Sequence, residues 1–209
     1  MMANMNDRYV EYEISPQQRG IFIHIPRTGG TTISRHVHRV APRMFIGHAT
    51  AAFVKSQLVY NGSMFDGLFK FAFVRNPWER HVSWWLYCRD TLKRDTCSFE
   101  SYIKDEIAMV VTCASIDWLT GGYWSQSIFV TDGKGNDIVD FIGQFEKFDE
   151  DFSYVCGVLG IDDNYVKRNE SKTPYDYREY YDDESAQMIA DRCKWEINRF
   201  GYTFDGGAA

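Results

Sequence analysis

The chain has 209 residues, enough to bury the core of one α/β domain. Its 29 acidic residues outnumber 23 basic ones for a net charge of −6, which argues against a DNA or RNA partner held by bulk attraction. With 44% hydrophobic and 25% charged residues it is ordinary for a soluble globular protein, and no apolar run approaches the roughly 20 residues needed to cross a bilayer.

Residues 1–18 are polar, lack the apolar core of a leader peptide and read as a loose arm ahead of a single domain over 19–209. A cytoplasmic location is the expectation. Gly20–Ile25 is continuously apolar, the pattern of a central parallel strand. A glycine turn then leads into a helix over Thr31–Val40, which Pro42 ends. Met44–Ile46 is a short candidate strand, Thr50–Leu58 a helix and Asn61–Ser63 a turn. Leu68–Val74 is the second strong strand. Asn76 is a good N-cap for the next helix, and Pro77 takes the first helical position, where its missing N–H costs nothing. Trp78, Val82, Trp85 and Leu86 form that helix's apolar face, with Glu79 and Ser83 off it.

A helix over Phe99–Met109 precedes an irregular stretch, 112–136, with turns at Thr120–Gly122 and Asp132–Asn136. Ile138–Phe145 reads as the third strand. Asp149 then caps a helix that buries Phe152, Val155, Cys156 and Leu159 and stops at Gly160. Residues 162–178 are a polar loop. The last helix runs over Asp183–Arg199, with Ala186, Ile189, Ala190, Cys193 and Ile197 as its buried stripe. Strands alternating with helices imply a mainly parallel sheet covered on both faces, with ligands at the carboxyl ends of the strands. The five cysteines include no CxxC pair, so a zinc site is not expected. Buried free thiols are the expectation, with a Cys88–Cys97 bridge as the alternative.

Two segments carry chemistry. The first is Pro26-Arg27-Thr28-Gly29-Gly30-Thr31-Thr32, a strand-to-helix turn. Its glycines allow the backbone to approach an anion closely, the helix N-terminus favours negative charge, and Arg27 and the three threonines add donors. A plain turn would need only the glycines. The sequence is not GxxxxGK[ST], which argues against a small P-loop kinase. The second segment, Phe71-Ala72-Phe73-Val74-Arg75-Asn76-Pro77-Trp78-Glu79-Arg80-His81-Val82-Ser83, repeats the layout with an arginine at its turn. Two anion sites in one small domain suit a ligand with charged groups at two ends.

These segments resemble the sulfotransferases, most closely the carbohydrate type and its bacterial relatives. Strand–His–Ile–Pro–basic–Thr–Gly–Gly–Thr–Thr is similar to their 5′-phosphosulfate loop. Arg75 followed eight positions later by Ser83 is similar to their 3′-phosphate site. Asp140–Glu146 resembles a late strand of the family, and Lys167–Lys172 its cofactor-covering loop, so the likeness spans about residues 19–204. The resemblance implies a fold related to the nucleotide kinases, with a P-loop-like central parallel sheet. It implies a donor, 3′-phosphoadenosine 5′-phosphosulfate (PAPS), with adenosine 3′,5′-bisphosphate as product, and a hydroxyl acceptor, a glycan. Arg27, Thr28, Gly29, Gly30, Thr31 and Thr32 would hold the 5′ end, Arg75 and Ser83 the 3′-phosphate, and Arg168 and Lys172 would close over the nucleotide.

Relatives carry lysine where this chain has Arg27. Lysine is a point charge, whereas arginine is a rigid fork suited to two oxygens at once. A nucleotide-binding protein of the same fold with little transfer activity is therefore the alternative reading. Transfer also needs a group to take the acceptor's proton. His48, just after the second candidate strand, is the expected base, and Glu79 or an acidic residue from the irregular loops is the fallback. His24 reads as a buried core histidine, His36 and His38 as residues on the polar side of the first helix, and His81 as structural. Trp118 and Trp124 are either stacking platforms for an acceptor sugar or surface packing.

Overall fold

The computed structural model describes residues 20–40, 48–60, 65–93, 97–104, 125–168 and 174–206. The expected arm over 1–18, the Met44–Ile46 strand and the Asn61–Ser63 turn lie outside the described residues. So do Pro42, the Thr120–Gly122 turn, Cys113, Trp118, Trp124, Lys172 and the His38 side chain.

Three strands form one parallel sheet: β1 (Gly20–Ile23), β2 (Phe69–Val74) and β3 (Phe141–Gln144), with β2 between the other two. Phe22 lies opposite Phe71, and Phe73 opposite Gly143. Side chains alternate across a strand, so this register sorts the residues by type. Phe22, Phe71 and Phe73 face one way, Ile21, Ile23, Ala72 and Val74 the other.

The aromatic face is covered by α1 (Gly30–Val40) through Ile33 and Val37. Phe152, Val155, Cys156 and Leu159 pack there from a long helix over Phe148–Leu159. The aliphatic face is covered by α2 (Ala51–Tyr60), α3 (Pro77–Leu86), α4 (Phe99–Lys104) and the short α5 (Ser127–Val130). The long helix over Phe148–Leu159 is α6; α7 (Asp183–Arg192) and α8 (Lys194–Phe200) complete the aliphatic side. The parallel sheet with helices on both faces is the architecture expected from the strand–helix alternation. No described helix is long and apolar enough to cross a membrane.

Several local expectations hold. Asn76 caps α3, its side chain accepting from the backbone N–H groups of Trp78 and Glu79, and Pro77 opens the helix. Gly160, with φ 67°, ends α6. Cys88 and Cys97 are both free thiols, which removes the bridge alternative.

Four expectations are corrected. The third strand is shorter than its apolar run, because Ile138 bonds to Val130 and only Phe141–Gln144 pairs with β2. Asp149 is not the cap of α6. The cap position is Lys147, and Asp149 sits in the first turn with Glu150 and Asp151, where acidic groups complement the helix dipole. The last helix breaks without proline or glycine at Cys193, whose φ of −107° and ψ of 29° leave the helical region. Ile189 and Cys193 are buried before the break and Glu196 after it. His36 is not on a polar face: it is buried, with Nε2 2.6 Å from the Asp162 carbonyl oxygen.

Candidate functional site

β1 and β2 end side by side, so the turns that follow them open at the same rim. Arg27 leaves β1 with φ 67°, a left-handed conformation uncommon outside glycine. Gly29 follows with φ 80°, and α1 starts at Gly30. Both glycines are required by close approach. A Cβ on Gly30 would lie 1.8 Å from His24 Nε2, and one on Gly29 would lie 2.7 Å from the Phe148 ring. Together they form the wall of a cavity of about 260 Å³.

The second turn brings its arginine to the same place. Ser83 Oγ accepts from Arg27 Nε at 3.0 Å and from Arg75 Nη1 at 3.4 Å. Arg75 Nη1 also donates to the Arg27 carbonyl at 3.2 Å, and Nη2 pairs with Glu79 at 2.5 Å. Phe145 lies under the Arg75 guanidinium at 4.3 Å. Burial opposes the Arg75 charge, but Glu79, together with Tyr175 and Glu146, more than offsets it, so the guanidinium is held charged. Ser83 therefore does not simply fall off the apolar face of α3. It is buried and joins the two turns.

Two guanidinium groups thus meet at Ser83, with Glu79 and Glu146 near Arg75. Arg75 Nε is buried with no hydrogen-bond partner among the described residues. A buried donor without a partner is costly, and an oxyanion would satisfy it. Among the described residues no group of three or more His, Cys, Asp or Glu side chains is arranged to hold a metal.

The turn after β2 is fixed by residues that sequence reading missed. The Gln126 side chain accepts from Arg75 N at 2.9 Å and donates to Arg75 O at 2.8 Å, standing in for a neighbouring strand. Glu196 of α8, fully buried, accepts from Gln126 N in turn. Glu146 accepts from Asn76 N at 2.7 Å and from the Tyr202 hydroxyl at 2.9 Å. Burial pushes the carboxyls of Glu146 and Glu196 up, and their hydrogen bonds oppose that shift. Gln126 lies in a stretch read as irregular, and its bond to Glu196 spans 70 residues, so neither carried a local signal.

The other expected residues divide. Gly29, Gly30, Thr31, Thr32, Arg27, Arg75 and Arg168 line the cavity. Thr28 does not: its hydroxyl donates inward to the Ile25 carbonyl at 2.8 Å and holds the turn. The Thr32 hydroxyl accepts from Arg168 N at 2.9 Å, which straps the 161–168 segment across the start of α1. His24, Phe145 and Phe148 also line the cavity, although none was singled out for it, and so does Lys167 from the segment likened to a cofactor-covering loop. The signal available was Phe145-Glu146-Lys147-Phe148, two aromatics at the carboxyl end of a strand.

His48 is half-buried, its ring 4.2 Å from that of His24. Its Nδ1 lies 3.1 Å from the His24 carbonyl oxygen. A carbonyl only accepts, so Nδ1 carries the proton and Nε2 is the basic nitrogen. Burial holds the His48 pKa below its ordinary value, against the opposing carbonyl bond. His24 is pushed down further, to about 3, by burial and then by His48 and Arg27. Glu79, the fallback base, is committed to Arg75. His81 is structural: buried, with Nδ1 2.7 Å from the Tyr102 hydroxyl.

Removing the Gln126 side chain leaves both backbone groups of Arg75 unbonded in a buried place. Gln126→Ala is expected to lower stability in urea denaturation by about 1–3 kcal/mol. The neutral burial of His24 predicts acid sensitivity. Unfolding returns His24 to its ordinary value near 6.5, so between pH 6.5 and about 3 the unfolded chain binds more protons. Stability is therefore lost as pH falls through that window. The thermal midpoint, followed from pH 7 to pH 4, should fall less steeply for His24→Asn than for the wild type.

Comparison with known proteins places the two turns. The model described as "Sulfotransferase family" matches residues 10–111. An uncharacterized protein of Archaeoglobus fulgidus is 28% identical over 115 residues, 55% of this chain and 87% of that protein. Among solved structures, a sulfotransferase from Alicyclobacillus acidocaldarius is 18% identical, with a TM-score of 0.36, over 81% of this chain and 64% of that one. Mouse sulfotransferase SULT7A1 complexed with PAP is 15% identical, with a TM-score of 0.39, over 88% of this chain and 67% of that one. The chain thus spans about two thirds of the length of these solved structures. The matched residues contain both the Arg27–Thr32 turn and the Arg75–Ser83 turn, and over this stretch the chain is similar to the sulfotransferase family.

Proposed function

We propose that this protein transfers a sulfuryl group from PAPS to the hydroxyl of an acceptor, a carbohydrate. The observation that carries the reading is the meeting of Arg27 and Arg75 at Ser83, beside the glycine wall of the cavity. One anion site alone would suit any nucleoside diphosphate. Two linked sites suit a nucleotide with charge at both the 3′ and 5′ positions. The unpartnered Arg75 Nε fits such a ligand.

Arg75 and Ser83 hold the 3′-phosphate through charge-assisted bonds. A nucleotide lacking that phosphate leaves a buried guanidinium unsatisfied, which selects against ATP. Gly29, Gly30, Thr31 and Thr32 receive the 5′ end, with the backbone of α1 pointing its N-terminus there. Arg168, tied through its backbone to Thr32, covers the nucleotide, a role the resemblance gives to Lys172 as well. When bound, the donor supplies an activated sulfuryl group whose leaving group is a phosphate. Arg27 stabilises the negative charge that builds on that phosphate side. His48 takes the acceptor's proton on Nε2, with Nδ1 fixed by the His24 carbonyl. Catalysis in this arrangement is positioning, charge stabilisation and one proton transfer.

Arg75→Ala is expected to weaken adenosine 3′,5′-bisphosphate by about 10- to 100-fold and ADP by less than about threefold, read by calorimetry. Equal losses would remove the 3′-phosphate assignment. His48→Ala should lower turnover by about 10²- to 10⁴-fold while bisphosphate affinity changes less than about twofold. The wild-type profile of kcat/KM should lose activity on the acid side only below pH 6.5, because His48 must be neutral to act and its pKa is lowered. An acid limb above that value would exclude His48 as the base. A protein that binds the bisphosphate and transfers to no acceptor would be a nucleotide binder without transfer activity.

A further inference from the structure

Arg27 is held at two points by one helix. Its Nε donates to Ser83 Oγ at 3.0 Å, and its guanidinium carbon lies 4.7 Å from the centroid of the Tyr87 ring. Ser83 and Tyr87 are four residues apart, and Tyr87 N–H bonds to the Ser83 carbonyl, so both side chains share one face of the helix. The helix widens immediately beyond, in a π turn over Tyr87–Thr91 closed by Leu92 N–H to Tyr87 O at 3.0 Å. Wide turns of this kind recur at functional sites. Trp84, buried, backs the Tyr87 ring at 6.0 Å.

We infer that Tyr87 is a positioning residue. With Ser83 it forms a clamp that fixes the Arg27 guanidinium at the cavity and makes the site depend on arginine at this position. The inference rests on the proposed donor site. Its physical basis is the shape of the group. Arginine donates through Nε and lays a charged plane on an aromatic ring at the same time, while its outer edge addresses an oxyanion. Lysine has one charged point and satisfies either the hydroxyl or the ring. The arginine is therefore not a weakened lysine. It is the residue that Ser83 and Tyr87 are placed to hold, and Arg27→Lys is a loss, not a repair.

The test is binding of two probes, adenosine 3′,5′-bisphosphate and inorganic pyrophosphate, to the full chain by calorimetry. Tyr87→Leu should weaken both by about 3- to 30-fold, and Tyr87→Phe, which keeps the ring, by less than about twofold. In an Arg27→Met background the further change Tyr87→Leu should have almost no effect, because the charge it holds is gone. Equal losses from Tyr87→Leu in both backgrounds would overturn the clamp, as would a Tyr87→Phe loss equal to that of Tyr87→Leu. Arg27→Lys keeps the proposal falsifiable if Tyr87→Leu does not fold. A loss of about fivefold or more is expected, and unchanged or tighter binding overturns it. Wild-type protein that binds pyrophosphate but not the bisphosphate removes the donor reading and leaves the clamp to be judged on pyrophosphate. Binding of neither overturns both.

Discussion

The Ser83 hydroxyl is the point on which the site depends. It accepts from two guanidinium groups that reach it from different strands. Two guanidinium groups meet at this one oxygen, and Glu79 pairs with Arg75. The fold can keep them there because each arginine is fixed elsewhere. Arg75 is bound at its backbone by Gln126, and Arg27 stacks on Tyr87. A local cluster of positive groups thus forms on a chain whose net charge is −6.

This local reversal of sign needs a rigid frame, and the sheet provides it. Parallel pairing of β1 with β2 brings their carboxyl ends to one rim, and the alternation of aromatic and aliphatic residues locks the register. A slip of one residue would exchange the two cores and turn Phe71 and Phe73 toward the aliphatic side. The same aromatic layer continues past the strands. Phe148 sits against Gly29, and Phe145 lies beneath Arg75. The core and the floor of the cavity are thus one packed body, which limits how far either turn can move.

The sequence makes legible what depends on short-range pattern. The first two strands, the Asn76–Pro77 start of α3 and the glycine turn follow from neighbouring residues. The spacing of Arg75 and Ser83 is visible because both lie in one strand–turn–helix unit. Gln126 and Glu196 are invisible in that way, since their bonds span 51 and 70 residues. Thr28 shows the opposite error. Its hydroxyl looks like an anion donor in the sequence, yet the tightness of the turn commits it to Ile25. Tyr87 escaped notice because an aromatic after a helix usually means packing, and only the fold shows Arg27 above it.

The left-handed backbone at Arg27 links these constraints. A non-glycine residue at φ 67° is strained, on the order of 1–3 kcal/mol, and persists only where its surroundings over-determine it. Those surroundings are the inward bond of Thr28, the close contact of Gly30 with His24, and the two-point hold by Ser83 and Tyr87. Glycine at position 27 would relieve the backbone but could reach neither Ser83 nor Tyr87. The strain is thus tied to a side chain that must leave the turn toward α3. That direction joins the first turn to the second at Ser83, beside one cavity lined by both.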